Sequence, residues 1–172
     1  MLFTGVSSTS NTFSYTLTGT DVSNSPERFN VIVTDSHPTT VNSVYSSTFT
    51  VNPALSAPSI SPSNPTIDDG QSVTFSSTWS GGTTDYTAKL YSSSTSTCNT
   101  GSTLVQILSS LTSGSASFNS VAPTTTTYYC ILVTDSAATP ATVNSINSEV
   151  TVNSALATPT ISPSGKTIDS GQ

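Results

Sequence analysis

The sequence predicts an all-β protein built from antiparallel β-sandwich units. Two observations carry this expectation. Strand signals arrive every 8 to 15 residues or so with no helical stripe between them, as expected of a sandwich. A block of sequence also repeats about 101 residues apart, roughly the length of one such unit.

Composition fits a folded chain with a hydroxyl surface. The 172 residues include 69 Ser and Thr but only 3 Lys plus Arg, against 9 Asp plus Glu, giving a net charge of −6. Without clustered cations there is no basic patch to neutralise phosphates, so nucleic acid is not an expected partner. Apolar residues make up 33% and fall in short β-branched and aromatic runs, which argues against disorder. No run approaches the roughly 18 apolar residues of a membrane helix, so no direct membrane insertion is expected of this segment. The start, MLFTGVSSTS, lacks the basic and apolar regions of a signal peptide.

The repeat is continuous over about twenty positions. Val51-Asn52-Pro53-Ala54-Leu55 matches Val152-Asn153-Ser154-Ala155-Leu156, and the match runs on through Pro58/Pro159, Ile60/Ile161, Ile67/Ile168 and Gly70/Gly171. Upstream, Val31 to Ser36 matches Ile131 to Ser136 at a spacing of 100. The expected organisation is therefore a partial copy over 1–56, a complete copy over 57–158 and the first strand of a further copy over 159–172. The simplest account is a segment of a longer array.

In the complete copy the elements follow in order. After the opening strand around Ile60 to Ile67, Asp69-Gly70 forms a turn into SVTFSSTW, where Val73, Phe75 and Trp79 share one parity. Ser80-Gly81-Gly82 turns into DYTAKLY, whose Tyr86, Ala88 and Leu90 alternate inward and leave Lys89 outward. TLVQIL, SASFNSV, TTYYCILV and SEVTV supply the remaining strands, with Ala122-Pro123 breaking the chain before the sixth. About 100 residues suffice for one independent core.

Taken together, ISPS-x-x-TID-x-GQSVTF, WSGGT-x-x-Y, YYCILVTDS and EVTVN resemble the tandem immunoglobulin-like repeats of large prokaryotic cell-surface proteins. The likeness is greatest to the Ser/Thr-rich repeats of archaeal surface proteins. It implies immunoglobulin-like antiparallel sandwiches, an extracellular location, and a structural or adhesive role in an S-layer or similar coat. The partners implied are neighbouring repeats of the same chain, or a cell-surface glycan or protein.

Cys98 and Cys130 can form one bridge or remain reduced, and the Thr-rich surface favours the bridge. Tyr128-Tyr129-Cys130 resembles a tyrosine corner, but Cys98 follows the third strand instead of sitting on the second, unlike the antibody pattern. Phe29, Val31 and Val33 align with Tyr129, Ile131 and Val133, so that apolar face should be the core. Cys130 then points to the outer face, where a bridge would staple the loop SSSTSTCNTGS and contribute about 3–4 kcal/mol.

Reactive chemistry finds few candidates. His37, the sole histidine, lacks triad or zinc partners and reads as a solvated loop residue. Asp68, Asp69 and Asp135 are candidate calcium ligands, since surface modules often stiffen joints with carboxylate-held calcium. Without a D-x-D-x-D spacing calcium is the weaker reading, and they are expected to be turn formers whose side chains bond nearby backbone amides. A Lys89–Asn153 cross-link is disfavoured because an outward amine stays charged and unreactive. No Asn satisfies N-x-Ser/Thr, while O-linked sugar on Thr124–Thr127 or Ser92–Thr97 stays open. The expectation is a non-enzymatic spacer without catalytic residues or cofactors. The alternatives are an adhesive module binding through end loops, or a filament subunit assembling by strand exchange.

Overall fold

Ten short strands and a single helical segment make up the computed structural model, which describes residues 12, 14–37, 39–162 and 165–171. The N-terminal part holds α1 (Gly19–Asn24), β1 (Ile32–Thr34) and β2 (Thr40–Asn42). Then come β3 (Thr66–Asp68), β4 (Ser76–Thr78), β5 (Tyr86–Ser93), β6 (Thr103–Leu111) and β7 (Ser115–Ser117). The last three are β8 (Thr127–Thr134), β9 (Thr142–Asn144) and β10 (Ser148–Asn153). The protein is nearly all β.

The larger sheet runs β3-β10-β8-β5-β6, with β9 also paired to β8. Every pairing in it is antiparallel except β3 with β10, where Ile67 stands opposite Val152 in parallel register. The smaller sheet is β4 with β7. The opening segment serves both layers: Ser61 bridges to Ser76 of β4, and a few residues later β3 lies beside β10. Ser148 anchors this crossing, since its buried hydroxyl accepts from the Asn64 amide (3.1 Å) and donates to the Pro62 carbonyl (3.0 Å). Asn64 holds φ at 52°, a left-handed conformation that asparagine tolerates better than most residues.

One core lies between the two sheets. Phe75, Leu90, Ile131, Val133 and Val150 are fully buried within it. The alternation that places Tyr86, Ala88 and Leu90 of β5 inward also places Tyr129, Ile131 and Val133 of β8 inward. Aromatic rings span the layers, with Phe75 4.9 Å from Tyr129 and Trp79 edge-on to Tyr86 at 5.5 Å. Burying one such side chain contributes roughly 1.5–3 kcal/mol.

The opposite face of the large sheet carries a separate cluster: Tyr91, Cys98, Cys130 and Leu132. Cys98 and Cys130 are disulfide-bonded there, with Cα atoms 5.8 Å apart, and Cys130 is directly opposite Tyr91 in the ladder. The bridge fastens the serine-rich loop after β5 to the sheet's outer surface.

Hairpin β1–β2 reproduces part of this architecture bond for bond. Val33 pairs with Val41 and Thr34 with Thr40, as Val133 pairs with Val143 and Thr134 with Thr142. Where the ladder breaks, the Ser43 hydroxyl accepts from the Val31 amide (2.8 Å) and donates to the Val44 carbonyl (2.8 Å). Ser145 does the same between Ile131 (2.9 Å) and Ile146 (2.7 Å). A serine hydroxyl here stands in for a lost ladder partner, satisfying a backbone N–H that would otherwise be orphaned.

Burial of the two apolar faces differs. Phe29, Val31 and Val33 are 38%, 47% and 62% exposed, whereas Tyr129, Ile131 and Val133 are buried. The expectation that both faces are core therefore holds for Tyr129, Ile131 and Val133 and not for Phe29, Val31 and Val33. Among the described residues no layer like β4–β7 lies over the first hairpin. The helix α1 was not anticipated. Its first turn is fixed by Thr18, whose amide and hydroxyl (2.7 Å) both donate to the Asp21 carboxylate.

Candidate functional site

A densely bonded loop cluster gathers at the end of β8, where the chain turns toward β9. Asp135 is buried there, and each of its carboxylate oxygens is taken by a backbone amide. Oδ1 accepts from Ala141 at 2.7 Å and closes the hairpin turn; Oδ2 accepts from Thr83 at 3.1 Å and ties the turn to the corner after Gly82. Ser136 strengthens the tie by donating its amide to the Thr83 carbonyl at 3.0 Å. The chain entering from the first hairpin joins the same cluster through Asn52, whose side-chain amide donates to Thr83 Oγ1 at 3.0 Å.

The calcium candidates do not meet. Asp68 closes the turn after β3: its carbonyl accepts from the Gln71 amide at 2.9 Å, and its amide donates to the Gln71 side chain at 2.8 Å. Its neighbour Asp69 donates its amide to the Asn153 carbonyl at 2.9 Å. Both acids lie beside the end of β10. Since β10 is antiparallel to β8, with Glu149 opposite Tyr128, that places them at the start of β8 and Asp135 past its far end. Among the described residues no three of His, Cys, Asp and Glu are grouped to hold a metal ion.

The other candidates are equally dispersed. His37 lies in the exposed β1–β2 turn and donates its amide to Asp35 Oδ1 at 2.9 Å. Lys89 pairs with Leu132 between β5 and β8, two strands away from Asn153 beside β3. The loop carrying Cys98 is held by its own hydroxyls and amides: Ser102 Oγ accepts from the Asn99 amide at 3.1 Å, and Asn99 Oδ1 from the Gly101 amide at 2.8 Å. The Asn147 side chain donates to the Ser96 carbonyl and docks that loop against the break between β9 and β10.

Two tyrosines and one acid are shifted by these surroundings. Bonds from the Thr18 hydroxyl and amide hold the Asp21 carboxyl below the usual range. The same carboxylate accepts from Tyr15 Oη at 3.0 Å, which raises the phenol. Burial in the core raises Tyr129.

Gly81, Gly82 and Leu55 escaped attention in the sequence as members of a site. The signals were present, since Ser80-Gly81-Gly82 is a turn and Val51 to Leu55 a repeated linker. Nothing local showed that one rests on the other. Among the described residues no helix is long and apolar enough to cross a membrane. No protein-family model matches the chain, and no curated protein matches it.

Proposed function

We propose that the chain is a non-enzymatic spacer: tandem immunoglobulin-like sandwiches of an extracellular surface protein, which hold a distal part away from the cell. The observation that carries this reading is the repeated hairpin. Asp35, Ser43 and the Thr34–Thr40 pair recur as Asp135, Ser145 and the Thr134–Thr142 pair, and their backbone partners recur with them. Repetition of turn chemistry, strand break and register at a fixed spacing is what a chain of like units requires. The topology favours the immunoglobulin-like form, because an opening strand that crosses from the smaller sheet to lie parallel beside the last strand fits that plan. A hydroxyl-rich, anionic exterior and a disulfide suit an oxidising, extracellular setting.

The test is small-angle scattering from a concatemer of three 101-residue units. A rod whose longest dimension grows linearly with unit number is expected, and a compact particle overturns the reading.

An adhesive role has one supporting observation. The disulfide and the Asn147 contact pin a serine-rich loop, so it can present a fixed surface to a glycan or protein. Glycan-array binding that is lost on deleting residues 94–97 would favour this reading over a plain spacer.

A further inference from the structure

The two copies of the linker end in opposite environments. Leu55 is 8% exposed and belongs to the core, whereas Leu156 is 97% exposed. What receives Leu55 is a corner made by Gly81 and Gly82, both with φ of 71°. Positive φ alone favours glycine at these positions, and the packing demands it as well. A Cβ on Gly81 would stand 2.1 Å from the Ala54 carbonyl oxygen, and one on Gly82 3.1 Å from Leu55 Cδ1.

The backbone of the linker is bonded to this corner along its length. Gly82 donates its amide to the Pro53 carbonyl at 2.7 Å, and Ser56 donates to the Ser80 carbonyl at 2.8 Å. The Ser80 amide returns a bond to Ser56 Oγ at 2.9 Å, and Asn52 reaches Thr83 Oγ1 at 3.0 Å. A linker so bonded, with a buried leucine at its end, is a seated element and not a hinge.

We infer that the Ser80–Thr83 corner is the acceptor of a lock between successive units, and that Leu156 is the plug for the same corner on a further copy of this unit. The second linker retains most of what the first one uses; Ala157 stands where Ser56 supplies its hydroxyl, so the bond from the Ser80 amide to Ser56 Oγ has no counterpart there. Asn153 corresponds to Asn52, Ala155 to Ala54 and Leu156 to Leu55, and Ser154 offers the carbonyl for which Pro53 is used. No feature of Pro53 beyond that carbonyl is called on by the Gly82 bond. The occupant of the corner is thus the linker of a neighbouring copy, and units so joined meet at one angle. The acceptor half stands on contacts within this chain; the plug half rests on the array reading above.

The full 172-residue chain tests the acceptor half. Spin labels on Ser47→Cys and Ser109→Cys, both exposed positions, report the distance across the joint. A single narrow distance distribution is expected, with at least a two-fold broadening in Gly81→Ala and in Leu55→Ala. Gly70→Ala is the control, since it carries the same left-handed strain (φ 88°) but no atom lies within 4 Å of a Cβ there. A broad distribution in the unsubstituted chain, or no change in Gly81→Ala, overturns the lock. Where Gly81→Ala does not fold, hydrogen exchange of the Gly82 amide in the unsubstituted chain decides: protection of 100-fold or more supports the lock, and free exchange overturns it. For the plug half, a second copy of residues 72–172 is joined after Gln172, which corresponds to Gln71, and the label pair moved across the new joint. A narrow distribution that Leu156→Asp broadens is expected. A broad one beside a narrow first joint overturns the plug while leaving the acceptor standing. A rod in scattering despite that result shows that the array reading survives its failure.

Discussion

Asp35 and Asp135 occupy the same place in two like hairpins, yet among the described residues only Asp135 reaches outside its own turn. Asp35 Oδ1 accepts from the amides of His37 and Thr39 at 2.9 and 3.0 Å. Asp135 Oδ1 accepts from Ala141 at 2.7 Å, and its Oδ2 turns to the Thr83 amide at 3.1 Å. One carboxylate closes a turn; the other closes a turn and fastens it to the corner on which the incoming linker is seated.

Replacing these two acids should therefore have unequal effects. Asp135→Ala leaves the part-buried amide bonds from Thr83 and Ala141 without their acceptor and should destabilise the protein by about 2–4 kcal/mol, since charge-assisted bonds of this kind contribute about 1.5–3 kcal/mol each. Asp35→Ala, in an exposed turn whose amides can turn to water, should cost about 1 kcal/mol or less. Urea unfolding of both variants measures the difference, and equal losses would contradict the role given to Oδ2.

How much of this was legible in the sequence depends on the range of the interaction. Strand parity was legible, because alternation is local: Tyr86, Ala88 and Leu90 face the core, and Cys130 faces the other side of its sheet. The parallel pairing of β3 with β10 was not, because it joins residues some 85 positions apart in sequence, such as Ile67 and Val152, through side chains that carry no pairing code. The seat of Leu55 on Gly81–Gly82 was hidden for a similar reason, since each half is an ordinary motif by itself. Asp135 was legible as a turn former, and its carboxylate is used that way, whereas Asp68 closes its turn through its backbone carbonyl and amide.

Equivalent positions should also respond unequally in the two apolar faces. Ile131 is fully buried, so Ile131→Ala should cost about 2–5 kcal/mol. Val31 is 47% exposed, and Val31→Ala should cost below about 1 kcal/mol. Thermal unfolding checks this directly. A cost above about 2 kcal/mol for Val31→Ala would mean that its face is covered in solution.

Opening the disulfide should weaken the fold without dissolving its core. The bridge spans a sequence separation of 32, for which the chain-entropy model gives about 3–4 kcal/mol. It lies on the outer face, apart from Phe75, Trp79 and Tyr129. A Cys98→Ala/Cys130→Ala variant should keep the near-ultraviolet circular dichroism of the Trp79 and Tyr86 pair while its urea midpoint falls. Loss of that signal in the absence of denaturant would show that the outer cluster organises the core.

Helix α1 should loosen in acid and in strong alkali, for opposite reasons. The Asp21 carboxyl is depressed first by the Thr18 hydroxyl and then by the Thr18 amide, with Tyr15 a smaller contributor. A depressed carboxyl stabilises the folded form above the pH at which the unfolded group titrates, and that stabilisation is lost as pH falls through the folded value. Tyr15 is raised, chiefly by its bond to Asp21, so its contribution is complete below the unfolded phenol value and is lost as pH rises through the folded one. The Thr18–Asp21–Tyr15 contacts should therefore persist across the neutral range, and carboxyl chemical shifts should place the acid transition below that of an unstructured aspartate. Thr18→Ala should move Asp21 upward more than Tyr15→Phe does, because the hydroxyl of Thr18 is the larger influence. An Asp21 titration that Thr18→Ala leaves in place would show that the first turn of α1 is not fixed by this pair.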